Sequence, residues 1–118
     1  MLQFIESRSP STIALAFNGN ATKEDAEKLD QHVRENFKDG QKFNILAIMT
    51  DVDGTTFQGA TEGLEFDIKR WKQFNKFAVV SDKDWIGTIS KLTNYMPGIK
   101  VEYFEGHQLE EAWLWIKE

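Results

Sequence analysis

Residues 43–49 read Phe-Asn-Ile-Leu-Ala-Ile-Met, and this nearly continuous apolar stretch decides the fold. A strand with one face in water alternates apolar and polar residues, whereas a strand covered on both faces is apolar almost throughout. The stretch is too short to cross a bilayer, which takes ~20 residues in a helix. It therefore predicts the central strand of a sheet with helices packed on it.

The residues before this strand predict a β-hairpin followed by a helix. Two short segments alternate apolar with polar or small residues, and the turn between them, Ser7–Ser11, contains Pro10. Thr22 can cap a helix that ends at Asp39-Gly40. The apolar positions are Leu2 and Phe4, then Ile13, Leu15 and Phe17 in the hairpin, and Ala26, Leu29, Val33 and Phe37 in the helix.

The residues after the central strand alternate between helical and strand patterns. A second helix is expected from about Gln58 to Trp71, and a third, closed by Pro97-Gly98, to carry Trp85, Ile86, Ile89 and Leu92. Buried strands are expected at Phe77–Val80 and Ile99–Phe104, and a last helix to bury Leu109, Ala112, Trp113 and Ile116. The order β-β-α-β-α-β-α-β-α predicts one α/β domain over residues 1–118, with a five-stranded, mostly parallel sheet and four helices.

Composition narrows the classes of function. The net charge of −5 and the lack of a lysine or arginine run argue against a nucleic-acid or anionic-membrane partner. The absence of cysteine excludes disulfides, zinc-thiolate sites and thiol nucleophiles. The first residues have no signal-peptide pattern, so we expect a cytoplasmic protein without membrane insertion.

Three local patterns resemble a known family. They are Asp51-Val52-Asp53-Gly54-Thr55-Thr56, then Ala78-Val79-Val80-Ser81-Asp82-Lys83-Asp84-Trp85, and finally Val101–Phe104 followed by Leu109–Trp115. Together with the element order, they resemble the SpoIIAA-like branch of the STAS domains, whose fold is also likened to the CRAL-TRIO lipid carriers. The resemblance informs the fold more than the activity. Together with the lack of a complete catalytic set, it leads to our first hypothesis, a non-catalytic binding or regulatory module without a cofactor.

One feature of the STAS antagonists is not matched. They carry a phosphorylatable serine in the turn where the second helix begins, and the corresponding turn here is Asp53-Gly54-Thr55-Thr56. The resemblance therefore does not extend to a phosphorylation switch at Thr55 or Thr56.

Polar residues follow two strands that we expect to be neighbours. Parallel strands end at one edge of a sheet, where open α/β sheets hold ligands. Asp51, Asp53, Asp82 and Asp84 would make this edge acidic, which predicts a cation or polar-ligand site that also includes Gly54 and Thr55. The simpler interpretation, which we favour, is that Asp82 or Asp84 caps a helix. We predict no metal site, because His32 and His107 are not at metal-ligand spacing.

Asp51-Val52-Asp53-Gly54-Thr55 also matches the string with which haloacid-dehalogenase-type phosphatases supply a nucleophilic and an acid/base aspartate. That family places the string near the start of its domain, with more strands after it. The interpretation that we favour is a turn, in which Asp and Gly tolerate the unusual dihedral angles and Thr can cap the following helix. The phosphatase is thus the third hypothesis.

Two large aromatic residues fall off the predicted core faces of their helices. Phe66 lies about 160° around its helix from Leu64, and Trp115 lies off the Leu109–Ala112–Ile116 face. Misplaced aromatics favour a partner surface, so we expect a homodimer or another protein partner. The alternative is a carrier of a small apolar ligand, with a pocket between helices 2 and 3 lined by Phe57, Trp85 and Met96.

Overall fold

The computed structural model describes residues 2–19, 23–38, 40–50, 73–85 and 98–118. They contain five strands, which are β1 (Leu2–Phe4), β2 (Thr12–Asn18), β3 (Phe43–Thr50), β4 (Phe74–Ser81) and β5 (Lys100–Phe104). They also contain the helices α1 (Lys23–Asn36) and α2 (Leu109–Lys117), the latter preceded by a 3₁₀ turn at Gly106–Gln108. No helix in these ranges is long and apolar enough to span a membrane.

The five strands form one sheet in the order β1-β2-β3-β4-β5. β1 is antiparallel to β2, and every other neighbouring pair is parallel. The predicted hairpin and mostly parallel sheet are thus confirmed, with the apolar stretch of β3 at the centre. The two helices predicted near Gln58–Trp71 and between Trp85 and Pro97 lie outside the described residues.

The first face of the sheet carries the larger core. α1 connects β2 to β3 on this face, with acidic residues in its first turn and Arg34 in its last, as the helix dipole favours. Trp85, which follows β4, has no exposed surface. The buried members of this cluster are Leu2, Ile13, Leu15, Phe17, Val33, Phe37, Phe43, Ile45, Ala47, Met49, Phe77, Val79, Trp85 and Ile99.

The second face carries a smaller core that α2 covers. Side chains alternate between the faces of a strand, so the intervening residues of β2, β3 and β4 point this way. The buried members are Ala14, Leu46, Ala78 and Val80 from the sheet, with Ala112, Trp113 and Ile116 from α2. The predicted buried face of the last helix is confirmed, although Leu109 is only partly buried.

The outer edge of β1 is protected by α1. The outward N–H of Leu2 donates to Asp25 Oδ1 (3.2 Å), and the outward carbonyl of Leu2 accepts from Lys28 Nζ (2.8 Å). The ring of His32 stacks on that of Phe4 at 4.1 Å. Because unpaired edge groups invite pairing with another chain, these contacts make β1 a poor docking edge.

β4 begins three residues earlier than predicted. The sequence predicts a strand from Phe77, yet Phe74 already pairs with Phe43, and the register shifts before Lys76 pairs with Asn44. Asn75 and Lys76 are polar and resemble loop residues, but Lys76 is buried beneath α2. The predicted start of β4 is too late, because the groups that Lys76 contacts lie in α2, far from it in the sequence.

Candidate functional site

The carboxyl edge of the sheet is tied together by Tyr103 of β5. Its hydroxyl lies 2.8 Å from the carbonyl oxygen of Lys83 and 3.2 Å from that of Ser81, so it donates to the segment that follows β4. Ser81 Oγ in turn accepts the backbone N–H of Lys83 (3.1 Å). These polar groups therefore hold the edge in shape.

The surroundings of Tyr103 are acidic. Burial raises the pKa of the Tyr103 phenol above its ordinary value of 10.0, and the negative charges of Glu105, Asp84 and Asp82 raise it further. A phenol with a raised pKa stays neutral at physiological pH, which suits a structural donor and not a general base.

Asp82 lies against the turn that begins α2. A Cβ added to Gly106 would fall 2.1 Å from Asp82 Oδ1, so a larger residue at this position requires the Asp82 side chain to move. The N-terminal end of a helix attracts negative charge, which favours this arrangement. Gln108 completes the turn, since its Oε1 accepts the N–H of Glu105 (2.9 Å). The sequence predicts that Asp82 or Asp84 caps the helix that follows. It does not predict the contact between Asp82 and Gly106.

The carboxylates of this edge do not assemble into a metal centre within the described ranges. No group of three or more His, Asp or Glu side chains there has an arrangement that could hold a metal ion.

The predicted site residues are not gathered in one place. Asp82 is exposed at the carboxyl edge, Trp85 is buried in the core of the first face, and Trp115 lies on the second face. The other predicted site residues lie outside the described residues: Asp51, Asp53, Gly54, Thr55, Phe57 and Phe66. The carrier and phosphatase hypotheses depend on these residues, or on Met96, and stay predictions.

Trp115 requires a correction. It was expected to lie off the core face of its helix, but it is half-buried and packs beside Phe104 of β5, with ring centroids 5.9 Å apart. Its ring also lies 5.3 Å from Lys76 Nζ, within cation–π range.

The large apolar residue of α2 that projects into solvent is Leu114, which is 69% exposed. At ~100° per residue it lies almost opposite the centre of the buried face of the helix. The exposure of Leu114 was not predicted, because only the aromatic residues were compared with the core faces of their helices. The surface around it, here called the outer face of α2, consists of Glu110, Glu111, Leu114, Lys117 and Glu118.

A turn from the other end of the chain borders the outer face. Arg8, between β1 and β2, places Nη1 2.6 Å from Glu110 Oε2 and its guanidinium 5.6 Å from the Trp113 ring centroid. The hydrogen bond from Arg8 lowers the pKa of the Glu110 carboxyl, and the positive charge of Arg8 adds to the effect. The hairpin turn thus helps to position α2 on the sheet.

The mixed sheet with α2 on its second face is that of a STAS-like α/β domain. A comparison with family models matches residues 12–117 to the SpoIIAA-like family, and this chain belongs to that family. The resemblance found in the three sequence patterns is thereby confirmed. Comparison with curated proteins gives no match.

Proposed function

We propose that this domain is a non-catalytic, regulatory SpoIIAA-like module that acts by binding protein through the outer face of α2. The observation that carries the proposal is the 69% exposure of Leu114 on a helix whose other side is anchored in the core. Such an anchored helix offers a partner a surface that is already ordered, which lowers the entropic cost of binding.

The composition of the outer face fits an interface. Leu114 provides an apolar centre, and the half-buried Trp115 follows it along the helix. Charged residues surround the leucine on both sides, and charged or polar rims around an apolar centre are typical of protein–protein contacts.

The carboxyl edge supports the non-catalytic part of the proposal. In the part of this edge that the structure describes, the Tyr103 hydroxyl donates to the Lys83 carbonyl and the Ser81 hydroxyl accepts from the Lys83 N–H. A nucleophile needs a base within hydrogen-bond reach, and these two hydroxyls contact backbone groups instead. The carboxyl edge instead helps to position the turn that begins α2.

The test is site-specific photo-crosslinking in cells that make this protein. A photoreactive residue replaces Leu114 in one variant and the exposed Glu27 of α1 in a matched control. We expect protein adducts at position 114 that added wild-type domain suppresses and the Leu114→Asp domain does not. No adduct at position 114, or equal adducts at both positions, would contradict the proposal.

A further inference from the structure

We infer that the outer edge of β5 binds the same edge of a second copy of this chain, with the two β5 strands antiparallel and Val101 at the two-fold axis. The two sheets would then join into one. Three features of β5 support this pairing: its free edge, the order of its charges and its half-buried apolar residues. This surface is distinct from the outer face of α2, so the two can fail separately.

The sheet has two edges, and within the described residues only one of them is covered. β1 forms the first edge, where Asp25 and Lys28 of α1 bond the outward N–H and carbonyl of Leu2. β5 forms the second edge, and no described residue outside the sheet makes a hydrogen bond to its backbone. Such an edge is a template for a further strand.

Two opposite charges lie on one face of β5. Lys100 and Glu102 pair with Lys76 and Ala78 of β4, so their side chains share the second face of the sheet. Both are exposed, and neither forms an ion pair within the described part of the chain. The two charges can therefore be matched by charges on a partner strand.

An antiparallel pairing centred on Val101 matches them. Opposite residues of two antiparallel strands have side chains on the same face, with Cβ atoms ~5 Å apart. When Val101 lies opposite its own copy, Lys100 of each chain lies opposite Glu102 of the other. A two-fold interface forms both contacts at once. The pairing thus places two cross-strand ion pairs on the second face.

The neighbouring registers are less favourable. A pairing centred on Lys100 or on Glu102 would set that residue against its own copy, and like charges directly opposite each other are destabilising. A pairing centred on Tyr103 would set Glu102 against Phe104 and form no ion pair. The order of charges along β5 therefore selects the register centred on Val101.

The first face adds an apolar contact in the same register. Val101 and Tyr103 are half-buried and pack against the larger core. The two Val101 side chains would meet, and each Tyr103 would lie opposite Ile99 of the other copy. Pairs of aromatic and β-branched residues stabilise adjacent strands. The part of this apolar surface that remains exposed in one chain would thus be covered by the second.

The length of the strand predicts weak association. The five residues of β5 extend over about 17 Å, which is short for a stable interface. We therefore expect a dissociation constant above ~10 μM and rapid exchange between monomer and dimer.

The first test uses the absence of cysteine from the chain. Single cysteines replace Val101, Glu102 and, as a control on the opposite edge, the exposed Gln3 of β1. Opposite residues of antiparallel strands have Cα atoms ~4.5–5.5 Å apart, which a disulfide can bridge. Under mild oxidation at high protein concentration, Val101→Cys should form a disulfide-linked dimer roughly tenfold faster than the other two variants. The rate at which each thiol reacts with a small reagent corrects for differences in exposure.

The second test is a charge-swap series in the Val101→Cys protein. Lys100→Glu and Glu102→Lys should each slow dimer formation by roughly fivefold or more, because each replaces two ion pairs with two repulsions. The double variant Lys100→Glu/Glu102→Lys should regain the parent rate, since the ion pairs are restored in reverse. Glu27→Lys on α1 should leave the rate unchanged.

Thermal unfolding of each variant shows whether the fold is retained, and the double variant gives a second check because it carries both charge swaps. Restored dimer formation in the double variant supports the inference. A Val101→Cys protein that forms dimers no faster than Gln3→Cys would overturn it. A double variant that stays as slow as the single variants would also overturn it.

Discussion

Lys76 Nζ donates a hydrogen bond to the carbonyl oxygen of Trp115 at 3.0 Å, which joins the middle of the sheet to the end of α2. The same ammonium donates to the carbonyl of Glu118, also at 3.0 Å. The last carbonyls of a helix lack partners within it and carry partial negative charge, so a cation placed there satisfies both needs. A buried lysine of β4 thus caps the helix that presents Leu114.

Replacing Lys76 should loosen α2. Lys76→Met keeps the apolar stem but removes the donor, and hydrogen bonds to charged groups are worth about 1.5–3 kcal/mol. We expect the free energy of unfolding in urea to fall by about 1–3 kcal/mol.

The matched control is Lys100→Met, at the exposed position beside Lys76 in the sheet. This substitution should change the free energy of unfolding by less than about 0.5 kcal/mol. Equal effects of the two substitutions would mean that the capping contact contributes nothing to stability.

Gly106→Ala should destabilise the protein through a clash with Asp82. The new Cβ would lie 2.1 Å from Asp82 Oδ1, so the carboxylate or the turn must move. Because Asp82 is exposed and Oδ1 lies at the end of its side chain, the carboxylate can rotate away, and we expect a cost of about 0.5–1.5 kcal/mol. In an Asp82→Ala background the same substitution should cost little, which a double-mutant cycle of urea unfolding can measure.

Gly40→Ala is the contrasting case. Gly40 has a φ of 82° and nothing within 4 Å of its ideal Cβ, so its penalty comes from the backbone alone. Asp82→Ala should leave that penalty unchanged. If Asp82→Ala removes the penalty of Gly40→Ala, or fails to remove that of Gly106→Ala, the contact between Gly106 and Asp82 is not the cause of the penalty.

Tyr103 should ionise at a higher pH than a free tyrosine. Because the folded pKa is raised, its contribution to stability is fully present below the unfolded value of 10.0 and is lost as the pH rises through the folded pKa. Ultraviolet titration of the phenolate in a Tyr95→Phe background isolates Tyr103. Glu105→Gln should lower the Tyr103 pKa only in part, because burial is the largest cause. A pKa at or below 10.0 in the parent would refute the assignment.

Thr12→Val should not destabilise the protein. Thr12 is 4% exposed, and its Oγ1 has no hydrogen-bond partner in the part of the chain that the structure describes. Burying an unpaired hydroxyl costs about 1–3 kcal/mol, which valine of similar shape avoids. Thr12→Ser keeps the hydroxyl but loses the methyl group, so it should be less stable than wild type. If valine costs as much as serine in urea unfolding, Oγ1 has a partner after all.

The sequence predicted the sheet well because period-2 alternation and the apolar run of residues 43–49 reflect burial directly. It predicted the buried face of the last helix for the same reason. The patterns that resemble the SpoIIAA-like family led to the family itself. The second pattern, Ala78–Trp85, includes the residues after β4 that hold the sheet edge together.

The candidate site was harder to predict, because its parts depend on contacts distant in sequence. The sequence around Lys76 suggests a loop, whereas its hydrogen-bond partner lies in α2. The ring contact between Trp115 and Phe104 of β5 is likewise not encoded in the helical periodicity. Leu114 stands out only once both neighbouring tryptophans are known to pack inward. Helical spacing indicates a direction around a helix, but tertiary packing decides which side chain remains in water.

The decisive experiment compares photo-crosslinks from position 114 of α2 with those from position 27 of α1. If the outer face of α2 binds protein, adducts will form at position 114, and wild-type domain but not the Leu114→Asp domain will suppress them. No adduct at position 114, or equal adducts at both positions, would contradict a protein-binding surface on this helix.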